Sequence, residues 1–154
     1  MLFVCLGNIC RSPLAEGVFL HLAAEAGLAH RFHVDSAGTG AWHVGERPDR
    51  RSVEVAAAHG VALPGTARQV TLEDLHRFDV VVAMDRDNRS ALERMAAAGG
   101  GTARLHLLRD FDPDADCDEV PDPYYGGTGG FEEVYRMVHA ACSGLLEALA
   151  PDPG

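Results

Sequence analysis

The sequence contains no lysine: all thirteen of its basic residues are arginines. Schiff-base chemistry and the lysine-bearing nucleotide loop are therefore excluded, and arginine is the only strong cation available to hold an anionic substrate. Positive charge is scarce too, since 23 acidic residues against 13 basic ones leave a net charge of −10. That balance argues against binding to a nucleic-acid backbone or an anionic membrane. Cysteine is sparse, with four in 154 residues. No apolar run is long enough to span a bilayer, and no charged segment with a cleavage site precedes the first apolar stretch. A cytoplasmic, reducing location is the expectation, with free thiols. Aromatic residues make up only 6%, including one tryptophan, whereas 47% of the chain is hydrophobic. Such a length and content suit one globular domain, expected over residues 1–150 with 151–154 as a frayed tail.

The most informative stretch is Val4 to Glu16, VCLGNICRSPLAE. Leu2-Phe3-Val4 reads as a short buried strand ending at Cys5, and Pro13 suits the first position of a following helix. Cys5 then sits at a strand-to-helix turn, where unpaired N–H groups and the helix dipole attract an anion. The same field favours a thiolate at Cys5, beside a tetrahedral oxyanion gripped by Arg11. Gly7 and Asn8 both tolerate the left-handed backbone that a tight cradle of inward N–H groups requires.

Along the chain, Leu14, Val18 and Leu22 with Ala15, Phe19 and Ala23 trace a helix face that Gly27 ends. Phe32–Gly38 reads as a second strand running into a polar turn, and Ala41–Pro48 as a loop carrying Trp42. A helix follows from Pro48 to His59 with Val53, Ala56 and Ala57 inward. Thr71 and Asp74 have capping-box spacing before a short helix. Asp79–Met84 is apolar enough to be a strand buried on both faces. Asp85–Ala98 reads as a helix, Arg104–Leu108 as a fourth strand, and Thr128 opens a last amphipathic helix with Phe131, Val134, Val138, Cys142, Leu145 and Leu149 on one stripe. Alternating strands and helices predict a parallel sheet covered on both sides, an α/β sandwich whose ligand site lies beyond the carboxyl ends of the strands.

A sulfur that attacks phosphorus needs an acid to protonate the leaving oxygen. Asp122, in the proline-stiffened run VPDPYYGG, is the candidate, and Tyr124 and Tyr125 beside it can wall a slot for an aromatic group. No histidine pair has obvious metal-ligand spacing, and the acidic run from Asp110 to Glu119 lacks the glycine and glutamate of a calcium loop. No metal and no cofactor are expected.

With VCLGNICRSPLAE, DSAGTGAWHVGERPDRR, AMDRDN and DPYYGG in this order, the chain from Leu2 to about Leu149 closely resembles the low-molecular-weight protein tyrosine phosphatases. The resemblance implies a flavodoxin-like three-layer sandwich with a four-stranded parallel sheet, and metal-free hydrolysis of phosphotyrosine in two steps. It makes Cys5 the nucleophile, Arg11 with the loop Leu6, Gly7, Asn8, Ile9 and Cys10 the phosphate cradle, and Asp122 the general acid and base. Ser12 supports the departing thiolate, and Asn8 is tied to Ser36. Ile9, Trp42, Tyr124 and Tyr125 are the implied substrate walls, Cys10 an implied redox partner of Cys5, and Asp85 and Asn88 caps without direct chemistry. The implied partners are a phosphotyrosine-containing protein and a cognate tyrosine kinase, for a monomer or weak dimer. Many relatives pair the glutamate matched by Glu16 with a histidine, where this chain has Gly65-Thr66.

Three rival readings are distinguishable. Thioredoxin-linked arsenate reductases resemble the loop but need further cysteines near His76–Asn88, where there are none. Protein-arginine phosphatases resemble it more closely, yet carry threonine where Ile9 stands, and an apolar side chain suits a phenyl ring better than a guanidinium. A cysteine-phosphorylated sugar-transport carrier must keep its phosphocysteine, and so has no use for Asp122.

Overall fold

The structure is a computed structural model and describes residues 1–124 and 128–150. Tyr125 and the tail expected to fray lie outside the described residues. Four parallel strands, β1 (Leu2–Cys5), β2 (Asp35–Gly38), β3 (Val80–Ala83) and β4 (Arg104–Leu107), form one sheet in the order β2-β1-β3-β4. Leu2 pairs with Asp35 on one side and with Val81 on the other, which puts β1 in the middle of the sheet.

Because side chains alternate across a strand, β1 feeds two cores. Phe3 and Cys5 pack on the side of α1 (Arg11–Glu25), α2 (Arg50–Ala58) and α5 (Thr128–Leu149), and Leu2 and Val4 on the side of α3 (Leu72–Arg77) and α4 (Arg86–Gly99). Val82 and Val81 divide in the same way on β3. The chain is thus a three-layer α/β sandwich of the flavodoxin-like kind, with α1 and α5 as the most extensively packed helix pair.

Several boundaries differ from those read in the sequence. Helix α1 starts at Arg11, so Pro13 stands at the third helical position rather than the first; its absent N–H is still one of the four with no helical partner. Phe32 to Val34 lie ahead of β2, behind a short 3-10 turn (Ala29–Arg31), since strand pairing with β1 begins only at Asp35. Helix α2 begins at Arg50, capped by the Asp49 carboxylate on the Arg51 N–H. It buries Ser52, Val55 and Ala56, while Val53 is half-buried and Ala57 exposed. The α3 capping box of Thr71 and Asp74 is present in both directions. Among the described residues no helix is long and apolar enough to cross a membrane.

Candidate active site

The carboxyl end of β1 runs into a loop, Leu6–Cys10, that turns its carbonyls outward. The carbonyls of Cys5, Leu6 and Ile9 accept from the N–H groups of Thr39 at 2.9 Å, Gly40 at 2.9 Å and Asp49 at 2.7 Å, and that of Cys10 from the Ser52 hydroxyl at 3.3 Å. With its acceptors occupied from behind, the loop has N–H groups left for whatever fills its hollow. One already points at sulfur: the Asn8 N–H donates to Cys5 Sγ at 3.3 Å.

Asn8 alone takes the left-handed conformation, with φ of 56°; Gly7 does not adopt a positive φ. The amide of Asn8 explains how a non-glycine residue is held there. Its Oδ1 accepts from the Arg68 N–H at 3.0 Å, and its Nδ2 donates to Ser12 Oγ at 2.8 Å and Ser36 Oγ at 3.0 Å. Ser12 Oγ lies 3.0 Å from Cys5 Sγ. The bond between Asn8 and Ser36 read from the resemblance is therefore present. Close packing matters at Gly38 as well, where a Cβ would come within 2.8 Å of the Leu6 carbonyl oxygen.

Arg11, only 2% exposed, faces three oxygens. Nη1 donates to Asp85 Oδ2 at 2.6 Å and to the Val120 carbonyl at 3.0 Å, and Nη2 lies 3.5 Å from Asp122 Oδ2. Burial alone pulls a guanidinium down, but the charges of Cys5, Asp85 and Asp122 outweigh it and hold Arg11 above its ordinary value. Asp85 does more than the capping read from the sequence. One carboxylate oxygen caps α4 through the Asn88 N–H at 2.7 Å while the other grips Arg11.

The Asp122 loop is tied to the sheet by the Val120 N–H, which donates to the Met84 carbonyl at 2.8 Å. Asp122 Oδ1 accepts from the Tyr124 N–H at 3.0 Å, and the Tyr124 carbonyl from Arg51 Nη2 at 3.0 Å. A cavity of about 420 Å³ opens between these parts, lined by Cys5, Leu6, Gly7, Ile9, Cys10, Arg11, Trp42, His43, Asp122 and Tyr124. Sulfur, guanidinium and carboxylate thus share one hollow with aromatic walls. The sequence reading did not single out His43. Its ring reaches the cavity because Nδ1 is held by Glu46 and the ring lies 6.0 Å from that of Tyr124, a loop geometry with no local sequence signature.

Trp42 is 72% exposed and its ring folds over Gly40, where a Cβ would fall 1.8 Å from ring atom Cζ3. Cys10 is buried, and burial followed by the charge of Asp49 pushes its thiol up to about 12. All four cysteines are free. Cys142 lies in the core and Cys117 on the surface. Among the described residues no group of three or more His, Cys, Asp or Glu side chains could hold a metal ion.

The family model described as low molecular weight phosphotyrosine protein phosphatase matches residues 1–153. The chain belongs to this family. A low molecular weight protein-tyrosine-phosphatase from Streptomyces coelicolor is 51% identical over 150 residues, 96% of this chain and 91% of the relative. Among solved structures, YfkJ from Bacillus subtilis superposes with a TM-score of 0.91 at 44% identity, covering 99% of this chain and 95% of that one. The Drosophila arginine phosphatase DARP superposes with a TM-score of 0.92 at 34% identity, covering 98% of each chain. Proteins similar to this chain thus carry names for two phosphoamino acids, so the walls of the cavity carry the question of substrate.

Proposed function

We propose that this chain is a phosphotyrosine-protein phosphatase that hydrolyses aryl phosphate monoesters through a phosphocysteine intermediate. The observation that carries the reading is the single cavity lined at once by Cys5, Arg11 and Asp122. In the first step the Cys5 sulfur attacks phosphorus, and the bond to the aryl oxygen breaks as Asp122 hands that oxygen a proton. Arg11 and the inward N–H groups take the equatorial phosphoryl oxygens, stabilising charge where it develops. In the second step the Asp122 carboxylate takes a proton from water as it attacks phosphorus, and Cys5 leaves with the Ser12 hydroxyl donating to its sulfur.

Phosphotyrosine is favoured over phosphoarginine by the apolar wall. Ile9 stands in the cavity lining with Trp42 and Tyr124, giving a planar ring contact on several sides and offering a guanidinium no acceptor from residue 9. The substrate is then a phosphotyrosine-bearing protein and a cognate tyrosine kinase acts upstream, with the enzyme a single domain over residues 1–150, a monomer or weak dimer, in the cytoplasm. The four free thiols suit that compartment.

Cys10 is the proposed redox partner. Peroxide converts Cys5 to a sulfenic acid with loss of water or alcohol from the oxidant, and the Cys10 thiol then displaces water to form a disulfide. Its pKa, raised first by burial, keeps the Cys10 thiol protonated and so slows this second step. Rates on phosphotyrosine, phosphoserine and phosphoarginine peptides, measured with a chelator present, test the assignment. Turnover confined to phosphotyrosine and indifferent to chelator is the expected result; preference for phosphoarginine overturns the substrate, and loss of activity with chelator overturns the mechanism.

A further inference from the structure

Asp122 is the most exposed of the three reacting groups in the cavity: its side chain is 38% exposed, against 3% for Arg11. Pro121 and Pro123 flank it, and neither has an N–H with which to tie the loop to its surroundings. On the upstream side Val120 is fixed twice, its N–H on the Met84 carbonyl and its carbonyl on Arg11 Nη1. What fixes the downstream side decides where the carboxyl points.

Arg51 fixes it, and its guanidinium is itself held by two helices. Asp49, the cap of α2, accepts from Nε on Oδ1 and from Nη2 on Oδ2, both at 3.1 Å. The Phe131 ring on α5 has its centroid 4.5 Å from the guanidinium carbon. Nη2 carries a second proton, which it donates to the Tyr124 carbonyl at 3.0 Å. With residue 124 pinned there, its N–H reaches back to Asp122 Oδ1 at 3.0 Å. A carboxyl oxygen that accepts from a backbone N–H is disfavoured as the seat of a proton, so the proton that Asp122 carries as an acid belongs on Oδ2. Oδ2 is the oxygen on the Arg11 side, 3.5 Å from Nη2 of that residue.

We propose that Arg51 is a positioning residue for proton transfer at Asp122. By pinning Tyr124 it keeps the Tyr124 N–H on Oδ1, which leaves Oδ2 to carry the proton to the leaving oxygen and, in the second step, to take one from water. The inference rests on the phosphatase reading, in which Asp122 is that acid and base. Arg51 does not itself line the cavity, so its effect passes through the Asp122 loop.

The test is kcat/KM on a series of aryl phosphates whose phenols run from the acidity of tyrosine, pKa about 10, to markedly more acidic ones. Protonation of the leaving oxygen matters most for the least acidic phenol. Arg51→Met keeps an apolar contact with Phe131 but has no donor. It should lower kcat/KM roughly tenfold for the least acidic phenol, the rate equivalent of one hydrogen bond, and by less than about twofold for the most acidic. Arg51→Lys keeps the charge without the fork; it should fall between the two, and carries the same readout if Arg51→Met does not fold. In Asp122→Asn, which has no proton to hand over, adding Arg51→Met should change kcat/KM by no more than about twofold. A loss of equal size for every phenol, or an undiminished loss in the Asp122→Asn background, marks a purely structural role and overturns the proposal. If Asp122→Asn keeps the leaving-group dependence of wild type, or wild type hydrolyses none of the series, the phosphatase reading itself fails and the proposal falls with it.

Discussion

Replacing Asp85 by serine separates the two tasks of that carboxylate. Serine caps a helix about as well as aspartate, so the bond to the Asn88 N–H survives in kind. The grip on Arg11 does not. Arg11 has a side chain 3% exposed against 21% for Asp85, and the 2.6 Å contact between them is its shortest. Removing one member of a buried pair costs ~3–5 kcal/mol. The Val120 carbonyl at 3.0 Å and Asp122 at 3.5 Å remain for the guanidinium, which brings the expected loss to about 2 kcal/mol. For a chain of this length that lowers the melting temperature by about 6 °C. The guanidinium, deprived of its shortest partner, is also the group proposed to hold phosphate, so added inorganic phosphate should recover part of the loss in Asp85→Ser, and more than it stabilises wild type. Urea unfolding of both proteins with and without phosphate measures this. A variant within ~0.5 kcal/mol of wild type, the range of an ordinary surface change, refutes the view that Asp85 anchors Arg11.

Gly40→Ala should push the Trp42 ring off its seat, since the added carbon would overlap ring atom Cζ3. We expect KM for an aryl phosphate to rise several-fold, by ~1 kcal/mol of lost ring contact, with kcat less affected, as steady-state kinetics will show. Glu16 also makes a stability prediction. Burial raises its pKa from 4.5 in the unfolded chain to about 7 on folding, so the folded state binds the extra proton and loses this stabilisation as pH climbs through that window. At ~1.4 kcal/mol per pH unit, Glu16→Gln should gain up to about 3 kcal/mol on wild type between pH 4.5 and 7, with no difference appearing below pH 4.5. A gap that is flat with pH in urea unfolding contradicts the assignment. Asn8→Ala removes every side-chain bond that holds the left-handed residue, and should lower stability in urea unfolding and kcat by roughly tenfold in steady-state kinetics.

The loop between β1 and α1 was legible because its key residues are local. Cys5, Asn8, Arg11 and Ser12 fall within eight consecutive residues, and the apolar run before them and Pro13 after them mark a strand, a turn and a helix start. Strand β3 was equally plain, since both of its faces are covered and every residue is apolar. Segments with one face half-covered were read less well. Phe32 and Val34 look like strand residues but pack beside the sheet without pairing in it. In α2 the inward stripe contains Ser52, whose hydroxyl serves the Cys10 carbonyl, so the apolar pattern pointed to the wrong neighbours. The second task of Asp85 and the partner of Glu16 depend on contacts 74 and 20 residues apart in the chain, and no local pattern encodes which oxygen faces which donor.

Rapid quenching of Asp122→Asn with an aryl phosphate tests the central claim most directly. The account predicts slow accumulation of a phosphoryl group on Cys5, visible in the intact mass and absent from Cys5→Ser under the same conditions. Full turnover by Asp122→Asn, or phosphate on any residue other than Cys5, would contradict it.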